Sequence, residues 1–88
     1  MGKASLISTA FGKAVKQERL KKGWTQDDLA EHCRLDRSYI SRIERGLKNP
    51  TLSVAWDIAT QLNISMLSLI ALTVEKLPID YKNVERPN

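Results

Sequence analysis

Three arginines fall in the run R-S-Y-I-S-R-I-E-R, from Arg37 to Arg45, of this 88-residue chain. At helical spacing Ile40 and Ile43 turn to one side, which leaves Arg37, Ser38, Ser41, Arg42 and Arg45 on the others. A guanidinium carries a planar fork of donors that matches a phosphate or the O6/N7 edge of guanine. A short helix with isoleucines beneath and arginines above is suited to presenting cations to a polyanion. For one arginine alone a solvated surface charge is the simpler reading; three on one short helix carry more weight. Catalytic material is scarce by comparison. His32 and Cys33 are the single residues of their types, and as neighbours they point to different helix faces and cannot form a ligand set. No glycine-rich phosphate loop occurs, so no cofactor, metal, catalytic residue or small-molecule ligand is implied.

The arginine run must be positioned by its neighbours. Thr25 can cap a helix, with Asp28 three residues on completing a capping box, and Leu29, Ala30 and Cys33 form its apolar face. Asp36 is a second N-cap candidate, and Gly46 falls where a left-handed glycine would close the next helix. The result is two short helices joined by a tight turn. Upstream, a helix is predicted from Ser8 or Thr9 to Lys22, with Phe11, Ala14, Val15 and Leu20 inward; Gly23 stops it and Trp24 tucks under the next helix. Downstream, Leu47–Pro50 is a polar loop. Thr51 caps a fourth helix bearing Leu52, Ala55, Ile58, Ala59 and Leu62, with Trp56 beside that stripe as a core or interface residue. Asn63 can take the left-handed position after it, and Ser65 caps a fifth helix that Pro78 ends. The expected fold is all-α with five helices over residues 9–77, between a flexible arm at 1–8 and an extended tail at 78–88.

Composition bounds the partners. The chain is one domain of ordinary globular character, 42% hydrophobic and 27% charged. Residues 1–50 hold 11 Lys/Arg against 6 Asp/Glu, whereas residues 51–88 hold 3 against 4, so the positive charge is concentrated in one part. A lone Cys33 cannot close an internal disulfide and reads as a core residue, in keeping with a reducing cytoplasm. Met1–Ser8 lacks the apolar stretch of a signal peptide. The fifth helix, M-L-S-L-I-A-L-T-V-E-K-L, is apolar on more than one face, yet about 12 residues cannot span a bilayer, so no membrane partner is expected. One side should pack on the core and the other against a second copy of the chain, with a heterologous partner as the alternative.

The string T-Q-x-x-L-A-x-x-x-x-L-x-x-S-Y-I-S-x-I-E-x-G resembles the helix-turn-helix of the phage-repressor and Cro-like family of bacterial transcription regulators. The likeness extends over about Phe11 to Ile70 through F-G-K-A-V-K-Q-E-R-L-K-K-G before it and N-P-T-L-x-x-x-x-x-I-A-x-x-L after it. D-R-S-Y-I-S-R-I-E-R-G and N-P-T-L are also similar to the controller proteins of restriction-modification systems. The resemblance implies a compact five-helix repressor-like domain that binds double-stranded DNA sequence-specifically. It would do so as a homodimer on an inverted repeat, with its third helix in the major groove. The family's base readers fall on Arg37, Ser38 and Arg42, with Tyr39 at the edge. Gln26 falls on its phosphate anchor, and Arg45, Lys48 and Asn49 are placed for backbone contact. The implied ion pair is Arg19 with Glu44, a structural clamp, whereas the expected dimer surface, Leu67, Ile70 and Val74, follows from the excess apolar face of the fifth helix. Two departures stand out: Arg34 replaces the usual turn glycine, and Leu67 replaces a usual polar residue. The alternative functions are an antitoxin-like module that binds a partner protein with DNA secondary, and a pure interaction domain.

Overall fold

The computed structural model describes residues 5–78, and within them the chain forms five helices: α1 (Leu6–Lys21), α2 (Gln26–Cys33), α3 (Arg37–Glu44), α4 (Leu52–Gln61) and α5 (Met66–Glu75). Four N-terminal caps follow from one chemistry. Ser5, Thr25, Thr51 and Ser65 are extended residues whose hydroxyls accept the backbone N–H three positions on. Thr25 and Asp28 complete the capping box, the Asp28 carboxylate accepting from the Thr25 N–H at 2.8 Å. Asp36 occupies the corresponding place before α3 with extended geometry, but its side chain makes no capping bond.

The C-terminal ends share a second device. Gly23, Arg34, Gly46 and Asn63 all have φ between 58° and 77°. After each, the next residue reaches back to the last full turn: Trp24 to Arg19 (3.2 Å), Leu35 to Ala30 (2.9 Å), Leu47 to Arg42 (2.8 Å) and Ile64 to Ala59 (3.0 Å). This is the Schellman closure, and it satisfies carbonyls the helix leaves open. Glycine or asparagine fills three of the four left-handed positions at little steric cost; arginine fills the fourth.

Two expectations are corrected at α1. The helix starts at Leu6 rather than at Ser8 or Thr9, because Ser5 is available as a cap and both Ser5 and Ser8 hydroxyls are drawn into its first turn. The flexible arm drawn over 1–8 therefore loses its last residues to the helix. Residues 1–4 of that arm and the tail beyond Pro78 lie outside the described residues. Leu20, assigned inward, is 56% exposed: the buried face of α1 runs through Phe11, Ala14, Val15, Glu18 and Arg19, and at helical spacing Leu20 falls on the opposite side from Phe11.

The core gathers Phe11, Ala14 and Val15 of α1, Leu29 and Ala30 of α2, Ile40 and Ile43 of α3, Ala55, Ile58 and Ala59 of α4, Leu62 beyond it, and Leu69 of α5. α1 packs against both α3 and α5, and α2 bridges α3 and α4. Gly12 makes the first of these contacts possible. A Cβ there would stand 2.2 Å from the Ile43 carbonyl oxygen and 2.7 Å from that of Glu44. A glycine inside a helix costs about 1 kcal/mol against alanine, and here it lets two backbones touch.

Arg34→Gly should raise stability by at most about 1 kcal/mol, because the left-handed penalty outweighs glycine's added freedom when unfolded. The urea midpoint is the measurement; a fall would mean that the Arg34 side chain stabilises the turn by more than its backbone strain.

Candidate nucleic-acid interface

Because Ile40 and Ile43 are fully buried, the orientation of α3 about its own axis is set. Arg37, Ser38, Arg42 and Arg45 are consequently exposed, and Ser41 is half-buried. Ser38 and Arg42 stand one turn apart, and Arg45 follows one turn on. The Arg45 Nε lies 3.4 Å from the Ser41 carbonyl oxygen, which lays its stem along the helix. Tyr39 is half-buried and packs against the core, with the Lys48 ammonium 5.6 Å from its ring centroid. Arg37 is the one outward cation of this group with an acidic neighbour among the described residues: its Nε is 3.7 Å from Asp27 Oδ1. Arg42, Arg45 and Lys48 have no carboxylate within ion-pair distance among the described residues.

Beneath this face lies a buried polar knot. Arg19 and Glu44 form a two-pronged pair, Nε to Oε2 at 2.7 Å and NH2 to Oε1 at 3.0 Å, with side chains 8% and 2% exposed. The remaining NH1 donates to the Trp24 carbonyl at 2.7 Å. Gln26, placed by resemblance at a phosphate, donates its Nε2 to Glu44 Oε1 at 3.0 Å. One of its two N–H groups is thus committed inward, and the amide is held in a fixed orientation at the start of α2. Among the described residues no buried side-chain polar atom lacks a partner, which is what makes burying these charges tolerable. Asn49, also assigned to the backbone of a ligand, is exposed and accepts through Oδ1 from the Ser8 hydroxyl, tying the loop after α3 to α1.

Among the described residues no His, Cys, Asp and Glu group with the makings of a metal site occurs. Exposed His32 stacks on Trp24, centroids 4.2 Å apart and planes 16° from parallel, while its Nδ1 meets the Asp28 carbonyl at 2.8 Å. The half-buried Cys33 thiol is pushed up to about 11, first by burial and then by the Asp57 carboxylate, and stays protonated at neutral pH. Two features of the site escaped sequence reasoning: the Gln26 contribution to the knot and the Asp27–Arg37 pair. Both join α2 to α3 across the turn, at spacings that helical periodicity does not address.

On the opposite part of the molecule α5 buries Leu69 and Thr73, whereas Leu67, Ile70 and Val74 are exposed, Leu67 to 79%. Ile70 also lines a groove of about 200 Å³ with Ile7, Phe11, Leu52, Ala55 and Met66. Trp56, read as core or interface, is exposed on α4. Among the described residues no single helix is long and apolar enough to cross a membrane.

Comparison with known proteins fits this geometry. A helix-turn-helix family profile matches residues 15–69. The chain is 40% identical over 68 residues to the control protein C.BamHI of Bacillus amyloliquefaciens, covering 76% of this chain and 84% of that one. It is 38% identical over 61 residues to a hypothetical transcription factor of Neisseria meningitidis, covering 69% of this chain but 58% of that longer protein. Among solved structures it is similar to the restriction-modification controller protein C.Esp1396I, at 35% identity and a TM-score of 0.75 over 82% of this chain and 94% of that one. That protein has also been solved as a tetramer in complex with its natural 35 base-pair operator.

Glu44→Ala should lower stability by about 3–5 kcal/mol, because Arg19 would remain buried without its counter-charge. An unchanged urea midpoint would contradict the clamp and point to Glu44 acting at the surface.

Proposed function

Since the chain belongs to the helix-turn-helix family of transcriptional regulators, we propose that it binds an inverted-repeat operator as a homodimer, with α3 in the major groove. The single observation that carries this reading is the division of α3: Ile40, Ile43 and Glu44 are buried, while Arg37, Ser38 and Arg42 are exposed along the outer face. Arg37 and Arg42 read bases through their guanidinium forks, Ser38 lies between them, and Tyr39 contributes from the edge. Arg45, Lys48 and Asn49 contact phosphates, and Gln26 adds its uncommitted N–H at the start of α2. The dimer forms through Leu67, Ile70 and Val74, whose exposure leaves an apolar strip that a twofold partner would cover. The tetramer–operator complex of C.Esp1396I supports oligomeric DNA binding as the working form.

An operator selected from a random duplex pool, followed by a panel of its single-base variants, separates reading from holding. Arg37→Ala or Arg42→Ala should cost roughly 1–3 kcal/mol and relax preference at one position per half-site. Lys48→Ala should weaken binding to every sequence and flatten the salt dependence, since phosphate contacts release counterions and carry no direct sequence information. Arginine variants that keep the wild-type ranking of operators would remove α3 from the role of reader.

Leu67→Glu should convert dimer to monomer in sedimentation equilibrium while the helical circular-dichroism spectrum is kept, because Leu67 makes little contact within its own chain; the melting temperature should fall only by what association adds. Leu69 is fully buried and is unsuitable for this test. A wild type that stays monomeric at tens of micromolar, in the range of weak specific association, overturns the dimer.

A further inference from the structure

The two adjacent aspartates at the start of α2 do different work. Asp28 closes the capping box with Thr25. Asp27 takes no part in the cap, and its Oδ1 lies 3.7 Å from Nε of Arg37, the first residue of α3. Both partners are open to water, at 62% and 76% exposure. A pair so exposed contributes little to folding; Asp27 also lies in the first turn of α2, where a negative charge favours the helix dipole, but that effect does not depend on Arg37. A guanidinium has two edges for forked contacts, Nε with one terminal nitrogen, and the two terminal nitrogens together. A carboxylate on the Nε side leaves the terminal edge free for a second contact.

We propose that Asp27 is a positioning residue that sets base specificity: it draws the Nε side of Arg37 to itself and presents the terminal fork to a guanine. The proposal rests on the reading that Arg37 contacts a base. At 3.7 Å the contact is longer than a hydrogen bond, so in free protein Asp27 steers the arginine rather than locking it. When DNA displaces the surrounding water the attraction strengthens. Asp27 also competes with phosphates for Arg37. Without it the arginine could swing to the backbone on any sequence, giving affinity without discrimination. Arg42, which has no carboxylate within ion-pair distance among the described residues, provides an internal control.

The test measures equilibrium binding of the 88-residue wild type, Asp27→Asn, Asp27→Glu, Arg37→Ala and the Asp27→Asn/Arg37→Ala double variant. The duplexes are the selected operator, its single-base variants and an unrelated sequence, at one salt concentration. Asp27→Asn should tighten binding to the unrelated duplex and shrink the penalty at the Arg37-dependent base by about 3- to 10-fold, the scale of one well-formed charge contact. Penalties at the Arg42-dependent base should not move, and the melting temperature should fall only by the small contribution of a first-turn acid to the helix dipole. Asp27→Glu should restore part of the lost discrimination, and Asp27→Asn should have no effect on ranking once Arg37 is alanine. If Asp27→Asn strengthens binding to all duplexes equally while Arg37→Ala still alters the ranking, Asp27 is a background charge and the proposal is wrong. If Arg37→Ala also leaves the ranking unchanged, the assignment of Arg37 as a reader has failed, and this proposal fails with it.

Discussion

The Glu44 carboxylate is the point on which this structure turns. It ends α3, accepts two N–H groups from Arg19 of α1 and a third from Gln26 of α2, and is almost wholly removed from water. A buried carboxylate is costly unless its lone pairs are used and its charge is met. The geometry provides both, and Arg19 spends a further N–H on the Trp24 carbonyl, where the chain turns from α1 into α2. Three helices are therefore pinned at one atom cluster. Such a pin is a weaker source of net stability than a hydrophobic contact of the same size. It does something burial cannot: apolar packing is non-directional, whereas a two-pronged pair fixes an angle.

That angle matters because α3 has only eight residues and cannot hold its own orientation. Two isoleucines set its rotation, the Glu44 pair sets its far end, and Gly12 lets its last carbonyls come against the α1 backbone. The outer arginines are displayed on a helix whose other faces are all occupied. Preorganised donors lose less freedom on binding than mobile ones, so a short helix held on its other faces suits the reading role proposed for it.

α1 is the common support of the two surfaces. It packs on α3 toward the cationic face and on α5 toward the apolar strip. Dimer contacts and DNA contacts, as proposed, then reside on separate helices joined through a third, and the spacing between two recognition helices would depend on how α5 and α3 sit on α1. This coupling comes from packing, with no moving part required.

Much of this was legible in the linear chain, for reasons that are local. Hydroxyl residues before apolar runs marked the caps at Thr25, Thr51 and Ser65, and Gly23, Gly46 and Asn63 marked the left-handed closures. Period-3.6 burial marked Ile40 and Ile43, and with them the outward arginines. Each signal needs only a residue and its neighbours within a turn. Long-range sequence likeness added Arg19 with Glu44, which spacing alone would not suggest. Tertiary structure decided the rest. Arg19 is charged and Leu20 apolar, yet Arg19 is buried and Leu20 exposed, because the inward face of α1 continues through Arg19 and α3 supplies the Glu44 carboxylate that makes a buried arginine tolerable. Gly12 appears in sequence as a flaw in a helix and proves to be the contact point with α3. Gln26 and Asp27 begin the same turn of α2, yet one turns inward to Glu44 and the other across to Arg37. Which way each side chain goes depends on the crossing of two helices, a quantity no local pattern encodes, since it is set by the sum of contacts that close the core.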